Sequence, residues 1–364
     1  MQYTTLGNSG LIVSALSLGT MQFGTGMNMG NLGQDETTEM INFAIERGIN
    51  FIDTADVYSR GESETLIGNA IKGKREDLVI ATKCRLPMSD DNFNRSGATR
   101  VNIIRGVESS LKRLQTDYID LYQLHGWDSN TPIEETLRTM DDLVRQGKVR
   151  YIGFSNYLSW QGAHAIEMQK QMNLEKFVTA QMYYSLLGRG LENSFQSFAQ
   201  YYNVGVLVWS PLAGGFLAGK YDRNAAPEAG TRFAEAGQFV MFEREKAHDI
   251  VDVVKNVADR HGVSAARVAI AWTLAQPAVS SVIIAARKLT HLEDNIAAAD
   301  MELTPEDLAE LDAVSHPGTP YPKWMVKQLD EAEDPRPQVL NPKLYEENPP
   351  WQDLRFIDQS ASGD

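Results

Sequence analysis

Eight short apolar runs, at residues 16–18, 51–53, 78–83, 119–125, 149–154, 178–181, 206–209 and 282–284, alternate with amphipathic stretches and so limit what this chain can fold into. The stretches between them repeat apolar residues at helical spacing, as over 36–47, 63–71, 99–114, 133–146, 158–172 and 289–299. Gly48 and Gly147 stand just past two of these segments, and Thr131-Pro132 opens the fourth, as helix ends and starts require. Strands that are apolar throughout, most of them followed by a helix, belong to a parallel sheet covered on both faces. Eight such units predict an α/β fold, a closed (β/α)8 TIM barrel, rather than an open sheet; 364 residues suit one barrel with insertions. Ahead of the first unit, Leu6-Gly7-Asn8-Ser9-Gly10 predicts an N-terminal hairpin that plugs one end of the barrel. Beyond His316 the pattern breaks, because 8 of the 14 prolines lie in residues 317–350. Residues 1–315 therefore read as the barrel. Residues 316–364 read as an irregular Pro-rich C-terminal extension, packed on it through Tyr321, Trp324, Tyr345 and Trp351.

Charge and cysteine content remove whole classes of function. With 34 Lys and Arg against 48 Asp and Glu, the net charge is -14, and such a surface repels a phosphate backbone. Nucleic acid is not an expected partner. One cysteine, Cys84, supports neither an internal disulfide nor a cysteine zinc site. No basic segment followed by an apolar stretch opens the chain, and no apolar run approaches the ~20 residues that span a bilayer. A cytoplasmic protein without a membrane partner is the expectation. Two glycine patterns are decoys. In Gly24-Thr25-Gly26-Met27-Asn28-Met29-Gly30, Met29 stands where a dinucleotide fingerprint needs glycine. Gly153-Phe154-Ser155-Asn156-Tyr157 lacks the second glycine of a nucleophile elbow. The six histidines (125, 164, 248, 261, 291 and 316) show no metal-ligand spacing, so no metal is expected.

In a TIM barrel, catalytic groups sit where the strands end. Three apolar runs end in ionisable residues, Asp53, Lys83 and His125, and Tyr58 follows Asp53 by five positions. Together they suit general acid catalysis by a phenol. An unperturbed tyrosine titrates near ~10, and a neighbouring ammonium stabilises its phenolate and lowers that value. Asp53 would hold Lys83, Lys83 would tune Tyr58, and His125 would hydrogen-bond the substrate oxygen. The hydride that such an acid complements must come from a cofactor, since no side chain supplies one.

These residues and their surroundings resemble the aldo-keto reductase superfamily. Gly48-Ile49-Asn50-Phe51-Ile52-Asp53-Thr54-Ala55-Asp56-Val57-Tyr58 is similar to its first signature, and 78–83 and 117–125 to the segments carrying its Lys and His. Gly147-Lys148-Val149-Arg150-Tyr151-Ile152-Gly153-Phe154-Ser155-Asn156 is similar to its fifth-strand motif. The resemblance implies a catalytic tetrad of Asp53, Tyr58, Lys83 and His125. For the cofactor it implies contacts from Gly19, Thr20, Met21 and Asp53, with Ser155, Asn156 and Gln181 on the nicotinamide carboxamide. Trp209 would stack on the ring. The pyrophosphate loop would comprise Ser210, Pro211, Leu212, Gly214, Leu217, Gly219 and Lys220, under a lid formed by 221–240. Ala286, Arg287, His291, Asp294 and Asn295 would hold the adenosine end. Arg287, Lys288 and His291 form a basic cluster suited to a 2′-phosphate, so NADPH (NADP) is expected in preference to NADH, which stays open. Ile284-Ala285 departs from the Pro-Gly of many relatives.

Met21, Phe23, Met27, Trp127, Tyr321 and Trp324 supply an apolar wall, which fits a medium-sized carbonyl substrate. The leading expectation is a reversible NADPH-dependent reductase of aldehydes or ketones. A cofactor-binding regulatory subunit with slow turnover, like the barrel subunits of some ion channels, is the alternative. A Schiff-base aldolase using Lys83 is disfavoured by Asp53 and the cofactor-type loops. The extension suits either a pocket wall or a contact between copies, which leaves a homo-oligomer open.

Overall fold

Each of the eight apolar runs forms a strand in the computed structural model, which describes residues 1–25, 31–226, 233, 234, 237 and 239–330. Two short strands come first, β1 (Tyr3–Thr5) and β2 (Ile12–Ser14), paired antiparallel as a hairpin. Then β3 (Leu16–Gly19), β4 (Phe51–Asp53), β5 (Val79–Cys84), β6 (Ile119–Leu124), β7 (Val149–Ser155), β8 (Phe177–Tyr183), β9 (Gly205–Trp209) and β10 (Val279–Ile284) pair in sequence order. β10 returns to pair in parallel with β3, so the barrel is closed.

The helices lie outside it: α1 (Gln34–Glu46), α2 (Glu62–Ala70), α3 (Arg100–Leu114), α4 (Ile133–Arg145), α5 (Ser159–Gln171) and α6 (Leu191–Tyr202). α7 (Arg244–His261) and α8 (Ala265–Leu274) both intervene between β9 and β10. α9 (Leu289–Ile296), α10 (Pro305–Ser315) and α11 (Lys323–Asp330) follow the last strand. α4 shows why these segments are helical. Leu137, Met140 and Leu143 recur at three-residue spacing and are all buried, each worth roughly 1.5–3 kcal/mol of burial.

Inside the barrel, Leu6 and Val13 of the hairpin pack with Phe51, Val79, Ala81, Leu121, Leu207 and Ile283. The expected plug therefore exists, and its fit is tight. Gly7 has φ of +54°, and a Cβ there would lie 2.1 Å from the carbonyl oxygen of Val178. With the N-terminal ends of β8 and β9 sealed this way, the opposite rim is left to carry a site.

The extension differs from expectation beyond its first residues. Residues 316–322 are irregular, but α11 follows, because Pro320 and Pro322 sit at its start with their carbonyls accepting from Trp324 and Val326. The aromatic anchoring expected there is not seen: Tyr321 is 72% exposed, and Trp324, 39% exposed, packs edge-on against it. Tyr345 and Trp351 lie outside the described residues, as does Met27. No helix among the described residues is long and apolar enough to cross a membrane.

Candidate active site

Parallel register brings the ionisable strand ends to one rim. Asp53 pairs with Ala81, Lys83 with Gln123, Gln123 with Gly153 and Ser155 with Gln181, so all of them share the inner face at the C-terminal end. Lys83 is fully buried and donates from Nζ to Asp53 Oδ1 (2.6 Å), the Thr54 carbonyl (2.7 Å) and the Tyr58 hydroxyl (3.5 Å). Burial alone would push its ammonium down. The Asp53 carboxylate and Tyr58 outweigh that and hold it above the ordinary lysine value.

A sharp turn delivers Tyr58. Its N–H donates to the Ala55 carbonyl, and Ser59, Arg60 and Gly61 follow at φ of 47°, 53° and 94°. Gly61 is required, since a Cβ there would lie 2.7 Å from the Arg113 side chain. Across the rim the His125 ring stands edge-on to Tyr58, with centroids 6.0 Å apart. Burial, then the charges of Lys83 and Arg85, push the imidazole down to about 3, so it is neutral at any working pH. It can donate a hydrogen bond there without being a source of protons.

Beside this group lie the amide-bearing residues. Gln181 donates from Nε2 to Asp53 Oδ2 at 2.7 Å, and its carbonyl accepts from the Ser155 hydroxyl (2.8 Å) and the Asn156 N–H (3.1 Å). Asn156 adopts φ of 57°, tolerable for asparagine. Its side chain accepts from Trp209 Nε1 at 3.1 Å and donates to the His125 carbonyl at 3.4 Å. Trp209 packs between Tyr183 and Phe239, centroids 5.0 and 5.8 Å away.

The loop after β9 turns through several left-handed residues. Ser210, Ala213, Gly214 and Gly215 all have positive φ, as does Gly219, and Ser210 Oγ accepts from the Gly214 N–H. The Gly215 N–H is likewise used inside the turn, donating to the Leu212 carbonyl at 2.9 Å. A Cβ on Gly215 would sit 3.7 Å from Lys220 Nζ. Burial and then the Arg287 guanidinium push the Lys220 ammonium below its ordinary value, so two cations converge on this loop. These residues fit a phosphorylated cofactor. Of residues 221–240, expected to form a lid, 227–232, 235, 236 and 238 lie outside the described residues; Tyr221 and Phe233 pack on Phe216.

The other expected contact residues differ widely in exposure. Phe23 cannot line a pocket: it is fully buried, filling the core under the β3–α1 loop. Tyr321 and Trp324 face solvent, while Trp127 is half-buried, stacked edge-on against Tyr157 and 5.9 Å from the exposed Trp160. Thr20 and Leu217 are fully buried and Pro211 buried, so backbone is what they can present. Thr20 Oγ1 donates to the Asp53 carbonyl, bracing the end of β4, and Gly19 is needed because a Cβ would meet Ile283 at 2.6 Å. Asp294 is engaged by Arg267 (2.7 Å) and Ser264, Asn295 is buried with its amide 3.4 Å from the Ala285 carbonyl, and His291 is exposed. Met21 and Leu212 are half-buried, and the Ala286 carbonyl accepts from Gln22 at 2.7 Å.

Sequence reasoning missed Gln22, Gln123, Arg85 and Trp160. Gln123 had a signal, lying two positions before His125 on the same strand face; it donates to Asp53 Oδ2 at 3.4 Å.

A family model, Aldo/keto reductase family, matches residues 15–316. Among curated relatives, the chain is 39% identical to the uncharacterized oxidoreductase YrpG of Bacillus subtilis, over 89% of this chain and 99% of that protein. It is 33% identical to versiconal hemiacetal acetate reductase of Aspergillus parasiticus, over 88% and 99%. To a probable voltage-gated potassium channel subunit beta of Arabidopsis thaliana it is 36% identical, over 86% and 96%.

Proposed function

The chain belongs to the aldo/keto reductase family, and on that premise we propose that it reduces an aldehyde or ketone reversibly, with NADPH. The buried contact chain Asp53–Lys83–Tyr58, at the rim that also holds His125, carries this reading. Bound nicotinamide would supply the hydride. Tyr58 gives the proton to the carbonyl oxygen as negative charge develops there. Lys83 stabilises the phenolate left behind, and Asp53 keeps Lys83 charged and in place. Neutral His125 donates a second hydrogen bond to the same oxygen and orients the carbonyl.

Toward the cofactor, Asn156 and Gln181 are the amides available to a carboxamide, and Trp209 offers a ring face. Lys220, beside the Gly214-Gly215 turn, suits a pyrophosphate, and Arg287 a 2′-phosphate. Arg287→Ala is expected to weaken NADPH binding about tenfold or more, equivalent to about 1.4 kcal/mol, while NADH affinity changes little. Equilibrium fluorescence titration of both cofactors checks this; equal losses would remove the 2′-phosphate assignment. Trp127 and Trp160 favour a carbonyl compound with substantial apolar surface.

Single-turnover absorbance of the preformed NADPH complex, against a panel of aldehydes and ketones, tests the proposal. Rapid cofactor oxidation by a member of the panel is expected. Tight binding with no oxidation would favour a cofactor-binding regulator, the second reading, which the relative named a potassium channel subunit supports.

A further inference from the structure

Asp56 lies on the turn between Asp53 and Tyr58, 2% exposed, and its Oδ1 has no hydrogen-bond partner. Its own N–H donates to the Lys83 carbonyl at 3.2 Å, and two residues on, Tyr58 is tied to Ala55 in the same turn. The turn that aims the phenol therefore has a carboxyl group built into its underside.

The surroundings of that carboxyl are poor in positive charge. α2 contributes Glu64, itself fully buried. α3 contributes Arg113, but its Nε is committed to Glu64 Oε2 at 2.6 Å, while Thr82 donates to Glu64 Oε1 at 2.6 Å. From β5 come Lys83, bonded to Asp53, and Cys84; from β6 comes Tyr122. Burial pushes the Cys84 thiol and the Tyr122 phenol upward, so both are uncharged in ordinary buffers. Two buried carboxyl groups thus share one nearby guanidinium, and only Glu64 is hydrogen-bonded to it. An ionised carboxylate with an unpaired buried oxygen is costly, and protonation relieves that cost.

We infer that Asp56 is a positioning residue for Tyr58, held as a neutral acid in neutral solution, and that its ionisation in alkaline solution disturbs the turn that seats Tyr58 against Lys83. Burial first, then the Glu64 carboxylate, raise its carboxyl to about 8, against the opposing pull of Arg113, the Val57 N–H and Lys83. Once ionised, Asp56 repels Glu64 and competes for the Lys83 ammonium, which lies 3.5 Å from the Tyr58 hydroxyl. Asp56 has its effect on rate only if the reductase reading holds, whereas its protonation does not depend on that reading.

Asp56→Asn mimics the neutral acid and separates the two. In stability, a group raised by folding contributes fully below its unfolded value, near ~4, and that contribution is lost as pH rises through about 8. Urea denaturation of the full chain from pH 5 to 9 should show wild type losing stability with pH relative to Asp56→Asn. In rate, wild-type kcat for NADPH-dependent reduction should fall about tenfold per pH unit above its limb near 8, and Asp56→Asn should lack that limb. Superimposable stability profiles would overturn the protonation state, even if no substrate turned over. A stability difference with an unchanged rate limb would overturn the positioning role.

Discussion

Tyr58→Phe should lower kcat for carbonyl reduction by about 10²–10⁴-fold while leaving NADPH affinity nearly unchanged. The substitution keeps the ring that stands edge-on to His125 and beneath the Lys83 ammonium, 5.1 Å from the centroid, and removes only the hydroxyl. Lys83 loses its longest contact but keeps Asp53 Oδ1 and the Thr54 carbonyl, so the site should not rearrange. His125 cannot replace the lost acid, because burial and two neighbouring cations hold it neutral. Single-turnover measurement with the preformed complex isolates this step from cofactor exchange. Retention of most activity would rule Tyr58 out as the proton donor.

Lys83→Met should abolish turnover and also destabilise the fold by about 3–5 kcal/mol, the usual loss when one member of a buried ion pair is removed. Asp53 would remain 2% exposed with Gln181 and Gln123 as donors and no cation. The double variant Asp53→Asn, Lys83→Met should regain much of that stability, since it leaves no unpaired charge, yet stay inactive. Denaturant midpoints and turnover of the three proteins separate the outcomes; an active double variant would refute the roles given to both residues. The pH dependence of this pair differs from that of Asp56. Folding raises Lys83, so its contribution is fully present below the unfolded value near ~10.4 and is lost only in more alkaline solution.

The barrel and the four central residues were legible because each depends on local pattern. Apolar runs of strand length, helical periodicity between them, and ionisable residues at strand ends follow directly from the order of residues. Once parallel neighbours pair in register, Asp53, Lys83 and His125 must reach the same rim. The glycine-rich turn after β9 was legible for the same reason, since it needs left-handed backbone at particular positions.

What failed lay in loops, where side-chain direction has no period. Phe23 and Met21 are two residues apart after β3, yet Phe23 is buried in the core and Met21 reaches the surface in part. Nothing in their spacing distinguishes them. Trp160, in the first turn of α5, joins Trp127 of the loop after β6 only because β6 and β7 are neighbours in the barrel. Asp56, Glu64 and Arg113 gather from a turn and two helices, and Gln181 reaches Asp53 across 128 positions of chain. The sequence by itself determined which elements form, in what order they close, and which chemical groups end the strands, because backbone periodicity and strand pairing are local and regular. Only the tertiary structure decided which loop residues face inward and which buried charges share a partner, because those follow from packing between segments far apart in the chain.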